Sequence, residues 1–65
     1  MATTFIISLC HKASAFSHSS EKRINILKAL KIALKGISAN DYRFLKVGLK
    51  SSVVTTMISY AEALS

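Results

Sequence analysis

The sequence contains no proline and no tryptophan, and its only cysteine is Cys10. A lone cysteine excludes an internal disulfide bond. Together with His11 and His18 it also leaves too few ligands for a structural zinc site. No apolar run approaches the ~20 residues that a helix needs to cross a bilayer. We therefore expect no metal, no cofactor and no transmembrane helix.

Acidic residues are almost as scarce, since Glu21, Asp41 and Glu62 are the only three. They lie about 20 residues apart, so the spacing does not suggest the paired carboxylates used in acid–base catalysis. Cys10 and His11 are adjacent, and adjacent side chains point in different directions in a helix or a strand. A thiolate with its own base is therefore not indicated, and we predict that the protein is not an enzyme.

Basic residues are abundant by comparison. Nine Lys and Arg face three acids in 65 residues, which gives a net charge of +6. The segment 22–50 holds eight basic residues and one acid, which leaves +7. A field of this sign attracts nucleic acid, anionic lipid or an acidic protein surface. The predicted residues for binding an anionic partner are these eight: Lys22, Arg23, Lys28, Lys31, Lys35, Arg43, Lys46 and Lys50.

The length of the chain allows one domain, residues 1–65, and a core this small gains stability from a partner. A hydrophobic content of 51% also favours association. Residues 1–20 are open to several interpretations: a flexible segment, a targeting segment, or a short helix with Phe5, Leu9, Ala13 and Phe16 along one stripe. We expect an intracellular protein.

A first long helix is predicted over residues 21–35. Ser20 is suited to cap it, and Glu21 suits its first turn. Ser17–Ser20 would be a polar connector. Most aliphatic residues of this helix gather on one side, and Lys28, Lys31 and Lys35 gather opposite, although Ile24 and Ile32 fall near the lysines.

A second helix is predicted over residues 39–64. Gly36 occupies the place of a left-handed residue that ends a helix, and the Ser38–Asp41 spacing matches a capping pattern that begins the next. We therefore predict an all-α fold: a helical hairpin of about 21–35 and 39–64 with a short N-terminal helix, either complete by itself or completed by dimerisation. The run from Val53 to Thr56 has reduced helix propensity, which leaves fraying or a strand as alternatives.

The second helix has apolar residues on two sides, which is typical of a helix with neighbours on both. One side would pack within the chain. The other is a predicted face for a partner or a second copy, and consists of Phe44, Val47, Val54 and Ile58.

Gly36-Ile37-Ser38, followed by Tyr42 and Leu45, is similar to the turn of helix-turn-helix DNA-binding domains. The sequence departs from that pattern at Lys35, where the family usually has an apolar residue. The resemblance implies a recognition helix in the major groove. The residues that it would direct toward the bases are Ala39, Asn40, Arg43 and Lys46.

Taken together, the sequence predicts a small regulatory or accessory interaction protein. It would bind a macromolecular partner through its lysine-rich helix and its exposed apolar helix face. A protein partner or a homodimer is favoured, and no small-molecule substrate is indicated. The alternatives are a nucleic-acid-binding regulator with a helix-turn-helix-like unit, or a cationic amphipathic peptide acting on anionic membranes.

Overall fold

The computed structural model describes residues 2–16 and 20–64. Within these ranges the chain forms four α-helices and no strand: α1 (Ala2–Ala15), α2 (Ser20–Lys35), α3 (Ala39–Arg43) and α4 (Ser52–Ala63). A π-helical turn, Phe44–Gly48, continues α3. The prediction of a small all-α fold with an N-terminal helix is confirmed.

The core lies where α1, α2 and α4 meet. α1 packs mainly on α2, and α4 contacts both. Leu30, Leu45, Val54 and Ile58 are fully buried. The other buried apolar residues are Ile6, Cys10, Ala13, Leu27, Met57 and Ala61. The described part of the segment 1–20 is thus packed against the rest of the chain.

The predicted stripe of α1 is correct at Ala13 and Leu9, which are buried or packed against the core, and wrong at Phe5 and Phe16. The helix buries Ile6, Cys10 and Ala13, whereas Phe5 is 58% exposed and Phe16 also lies at the surface. Both stripes have helical spacing, so periodicity alone does not separate them. The observed stripe has small residues at its centre, and these let α1 approach α2 and α4 more closely than phenyl rings would.

α2 follows its predicted pattern closely. Leu27 and Leu30 are buried, and the lysine-side residues Ile24 and Ile32 are exposed, as their positions on the helix wheel indicated. Ser20 is already helical, so it does not act as the residue before the helix. The rest of the predicted connector, residues 17–19, lies outside the described residues.

The turn between α2 and α3 confirms one capping prediction and corrects another. The Ser38 hydroxyl accepts a hydrogen bond from the backbone N–H of Asp41 at 3.2 Å, as predicted for the start of a helix. Gly36, however, does not adopt a positive φ angle. Its N–H instead bonds to the carbonyl of Ala33 at 3.1 Å, which ends α2 with a tight right-handed turn.

The prediction of one continuous helix over 39–64 is wrong. The π-helical turn closes with a bond from the Leu49 N–H to the Phe44 carbonyl at 2.7 Å, and the chain then changes direction. Lys50 has a φ of 54°, which is the left-handed region, and Ser51 is extended. Ser51 caps α4 by accepting from the N–H of Val54 at 3.3 Å. The break turns α4 back onto α1 and α2, where Val54, Met57 and Ile58 are buried.

The run from Val53 to Thr56 is helical, so neither fraying nor a strand is observed there. Two hydroxyl groups of α4 bond to carbonyls one turn earlier: Thr55 to Ser51 at 2.8 Å and Ser59 to Thr55 at 3.0 Å. These bonds satisfy both hydroxyl groups within α4, in an arrangement that slightly weakens a helix and often bends it.

Candidate interaction surface

The eight basic residues of the segment 22–50 divide into two sets. The first set makes contacts within the chain. Lys31 donates to the carbonyl of Leu64 at the end of α4, where a cation is favoured by the helix dipole. Lys46 lies 3.6 Å from the Glu62 carboxylate and is the one cation in an ion pair among the described residues.

Two further members of the first set stack on aromatic rings. The Lys22 ammonium lies 5.5 Å from the centre of the Phe16 ring, and the Arg23 guanidinium lies 4.9 Å from that of Tyr60. Such contacts hold a cation over an apolar surface without neutralising its charge. Lys22 and Arg23 therefore fix neighbouring elements together while still contributing to the positive field.

The second set is exposed, and consists of Lys28, Lys35, Arg43 and Lys50. Among the described residues these four take part in no ion pair. Lys28 and Lys35 lie on the solvent side of α2, whereas Arg43 and Lys50 flank the π-helical turn. The eight predicted cations thus differ in their surroundings. Lys31 and Lys35 line one groove with Glu62, the ion-pair partner of Lys46, whereas Lys22 and Arg23 contact aromatic rings.

The predicted apolar partner face is also divided. Val54 and Ile58 are fully buried in the core, so they are not available as surface. Phe44 is 45% exposed and Val47 is 66% exposed. The reason is the break at Lys50, since the face would be continuous only if residues 39–64 formed a single straight helix.

Phe44 and Val47 form the centre of a surface that we call the turn patch, defined as Arg43, Phe44, Val47 and Lys50. The Phe44 ring lies over Gly48, where a Cβ would come within 3.1 Å of the ring. Glycine therefore lets the ring rest on the backbone of the turn. The patch combines two exposed apolar side chains with two exposed cations in one short segment.

Next to this patch, a hydrogen-bonded group links α3 to α4. The hydroxyl of Tyr42 donates a hydrogen bond to the carboxylate of Glu62, and the same carboxylate forms the ion pair with Lys46. The bond to Glu62 raises the pKa of Tyr42, and partial burial and the carboxylate charge act in the same direction. This group explains why Lys46 is not free to face a partner, although the helix-turn-helix resemblance placed it toward DNA. Ala39, Asn40 and Arg43 are exposed.

Two open grooves lie on the surface. The larger, of about 340 Å³, is lined by Ser20, Arg23, Ile24, Leu27 and Tyr60. The smaller, of about 250 Å³, is lined by Lys31, Leu34, Lys35, Tyr42 and Glu62. Neither groove is predictable from the sequence, because each joins α2 to an α4 residue that is 27 or more positions away in the chain, and Tyr42 of α3 completes the smaller one. No short-range pattern indicates such a pairing.

The cysteine has a structural setting. Cys10 is fully buried, its sulfur lies 3.9 Å from the carbonyl of Val54, and burial raises the pKa of the thiol to about 11. His11 beside it is exposed. Within the described ranges, no three His, Cys, Asp or Glu side chains come together as metal ligands do. In the same ranges, no helix combines the length and the apolar character needed to cross a bilayer.

Comparisons with protein families, curated proteins and solved structures find no match to this chain. The interpretation of its surface therefore depends on the chemistry of the residues described above.

Proposed function

We propose that the protein is a small, non-enzymatic regulatory or accessory factor that acts inside the cell by binding an acidic protein. The turn patch would make the contact, with Phe44 and Val47 entering an apolar site and Arg43 and Lys50 facing carboxylates. The observation that carries the proposal is the pairing of exposed apolar and cationic side chains within 43–50 on a fixed turn.

The remaining cations would assist without direct contact. With a net charge of +6, the chain attracts an acidic partner over a distance of about one Debye length and raises the rate of encounter. Apolar anchors near cations suit a protein partner better than a phosphate backbone, because an exposed valine gains nothing beside phosphates. The core also argues for this choice, since the apolar side of α2 is occupied by α1 and α4 and is not free to enter lipid.

The test is recovery of a bound protein from the native host at low and high salt, with nuclease treatment as a separate arm. We expect a protein partner that survives the nuclease and dissociates in high salt. Val47→Ser and the pair Arg43→Gln with Lys50→Gln should each reduce its recovery at least fivefold. The matched controls are Phe5→Ser and Lys12→Gln, which change a similarly exposed apolar residue and an exposed cation on α1.

Loss of all bound material after nuclease treatment would reject the acidic-protein proposal. Equal losses with the α1 controls and the turn-patch variants would reject the assignment of the surface. Gain of helicity and dye leakage with anionic vesicles would support the membrane alternative instead.

A nucleic-acid-binding regulator is the second candidate, and one observation favours it. Ser38 caps α3, and Asn40 and Arg43 are exposed on the first turns of that helix, as in a helix-turn-helix unit. The early change to a π-helical turn after Arg43 is a departure. This candidate predicts that log K for duplex DNA falls by about 0.9 per unit of log salt for each phosphate contacted. It also predicts that Asn40→Ala weakens binding, whereas Val47→Ser does not.

A further inference from the structure

The exposed side of α2 carries five residues that repeat symmetrically about a central lysine. We call this set the α2 outer face: Glu21, Ile24, Lys28, Ile32 and Lys35. Their successive spacings are three, four, four and three residues. At about 100° per residue all five fall within about 40° of Lys28, with the buried Leu30 on the opposite side of the helix and the buried Leu27 beside Ile24. Ile32 is 71% exposed and Ile24 is 41% exposed.

The two isoleucines stand at equal distances on either side of Lys28, and the two outer residues, also equidistant from it, carry opposite charges. If a second α2 lies antiparallel, with Lys28 at the centre, Ile24 comes beside Ile32 of the second copy. Glu21 then comes beside Lys35 of that copy. The two-fold axis repeats each contact, so the pair contains two isoleucine contacts and two contacts of opposite charge.

The helix geometry permits this contact. Residues 24, 28 and 32 form one ridge with a spacing of four, and two such ridges interdigitate in the commonest class of helix packing. Ile24 and Ile32 are separated by about 12 Å along the axis, and Glu21 and Lys35 by about 21 Å, at 1.5 Å per residue. Because the two axes diverge away from their crossing point, the contacts at the ends depend on the length of the Glu21 and Lys35 side chains.

Within the monomer, the charges at the two ends of this face interact favourably with the dipole of α2 but leave room for a partner of opposite charge. Among the described residues, neither Glu21 nor Lys35 takes part in an ion pair. An opposite charge at each end and an apolar residue inside it give a surface that is complementary to itself. We propose that the α2 outer face is the interface of a weak antiparallel homodimer, in which the occupant is a second copy of this chain.

The proposal goes beyond the function proposed above, because it uses a different surface and a different partner. It also replaces the dimer face expected from the sequence, half of which is buried in the core. The centre of the interface sets a limit on affinity, since Lys28 opposes Lys28 of the second copy. For a contact below about 1,200 Å² we expect a dissociation constant on the order of 0.1 mM.

Sedimentation equilibrium of the purified full chain between about 10 µM and 1 mM tests the proposal without any other partner. We expect a monomer–dimer equilibrium that Lys28→Gln tightens about tenfold, because the central repulsion is removed. Glu21→Lys and Lys35→Glu should each weaken it about tenfold, because two attractive contacts become repulsive. The double variant Glu21→Lys with Lys35→Glu should restore the wild-type constant to within about threefold.

The charge reversal separates a specific interface from a general effect of charge. Lys35→Glu lowers the net charge from +6 to +4, so a general effect would tighten association rather than weaken it. Lys12→Glu makes the same charge change on α1 and is the matched control, for which no weakening is expected. Circular dichroism of each variant checks that the monomer remains folded.

A wild-type chain that stays monomeric up to 1 mM would overturn the proposal. So would tighter association of Lys35→Glu, or a double variant that remains as weak as the single ones. None of these outcomes bears on the turn patch, since the acidic partner is absent from the experiment.

Discussion

Substitution of Lys50 should most clearly reveal the break within residues 39–64, the second arm of the predicted hairpin. The Lys50 φ of 54° is the one positive value among the described non-glycine residues. For an L-residue the left-handed region costs roughly 1–2 kcal/mol, because Cβ approaches the next carbonyl oxygen. Glycine removes that cost, but its greater freedom in the unfolded chain offsets about 0.5–1 kcal/mol. Lys50→Gly should therefore raise the free energy of unfolding by about 0.5–1 kcal/mol.

Thermal unfolding followed by circular dichroism measures this change. For a domain of this size, 1 kcal/mol corresponds to about 4–8 °C in Tm, so we expect an increase of about 3–6 °C. Lys50→Ala is the control, because it removes the same charge and keeps the strained conformation. It should lie within about 0.5 kcal/mol of the wild type. Lys50→Asn should fall between alanine and glycine, since asparagine tolerates the left-handed region.

The comparison of glycine with alanine decides the matter. If Lys50→Gly is no more stable than Lys50→Ala, the backbone at residue 50 is not left-handed in solution. The second arm would then be closer to the continuous helix that the sequence indicates. A gain shared equally by both variants would instead identify relief of charge repulsion as the cause.

Three other predictions concern single groups. Gly36→Ala should raise the free energy of unfolding by about 0.4–1 kcal/mol in chemical denaturation. The reason is that the φ angle of Gly36 is not positive and an added Cβ would lie at an ordinary 3.6 Å from the Ala33 oxygen. A loss of about 1 kcal/mol would instead indicate a left-handed residue at position 36. Cys10 is buried and its thiol pKa is raised to about 11, so it should react with a disulfide reagent at pH 8 only in unfolded molecules. Because Lys50→Gly should lower the unfolded population, it should slow the labelling of Cys10 about threefold. An unchanged rate would indicate that the reagent reaches Cys10 by a local opening. In a Tyr60→Phe background, Glu62→Gln should lower the pKa of Tyr42 in an absorbance titration at alkaline pH, because the main cause of its raised value is removed. The pKa of Tyr42 is higher in the folded state than in the unfolded state, so this bond stabilises the protein below the ordinary phenol pKa of about 10, and the stabilisation is lost as the pH rises past the folded-state pKa. An unchanged pKa of Tyr42 in the Glu62→Gln variant would show that the bond is absent.

Local patterns in the sequence determined the helical class and the start of two elements. The alternation of lysines and aliphatic residues fixed the faces of α2, because a helix wheel depends only on neighbours three or four positions away. The Ser38 cap was predictable for the same reason, since its hydroxyl meets an N–H three residues later. The exposure of Ile24 and Ile32 also followed from their positions on the wheel.

The partner surface depended on tertiary structure. Val54 and Ile58 have the sequence pattern of a free helix face, yet they are buried because the chain turns back after Lys50. The residue type does not mark the position of that turn, since Gly48 lies inside the π-helical turn and the left-handed residue two positions later is a lysine. Burial of the apolar side of α4 against α1 and α2 is a long-range gain that exceeds the local cost of the strained backbone.

The stripe of α1 shows the same division between local and long-range causes. The sequence allowed a helix among several interpretations of residues 1–20, and within that helix two neighbouring stripes were equally periodic. Both stripes contain Ala13, and contact with α2 and α4 selected the one with Ile6 and Cys10, because a small side chain such as that of Cys10 allows three helices to meet closely. The absence of prolines and disulfides left this choice to packing alone. Composition and periodicity therefore determined the elements and their charge, whereas the tertiary structure decided which apolar and cationic side chains remain at the surface to meet a partner.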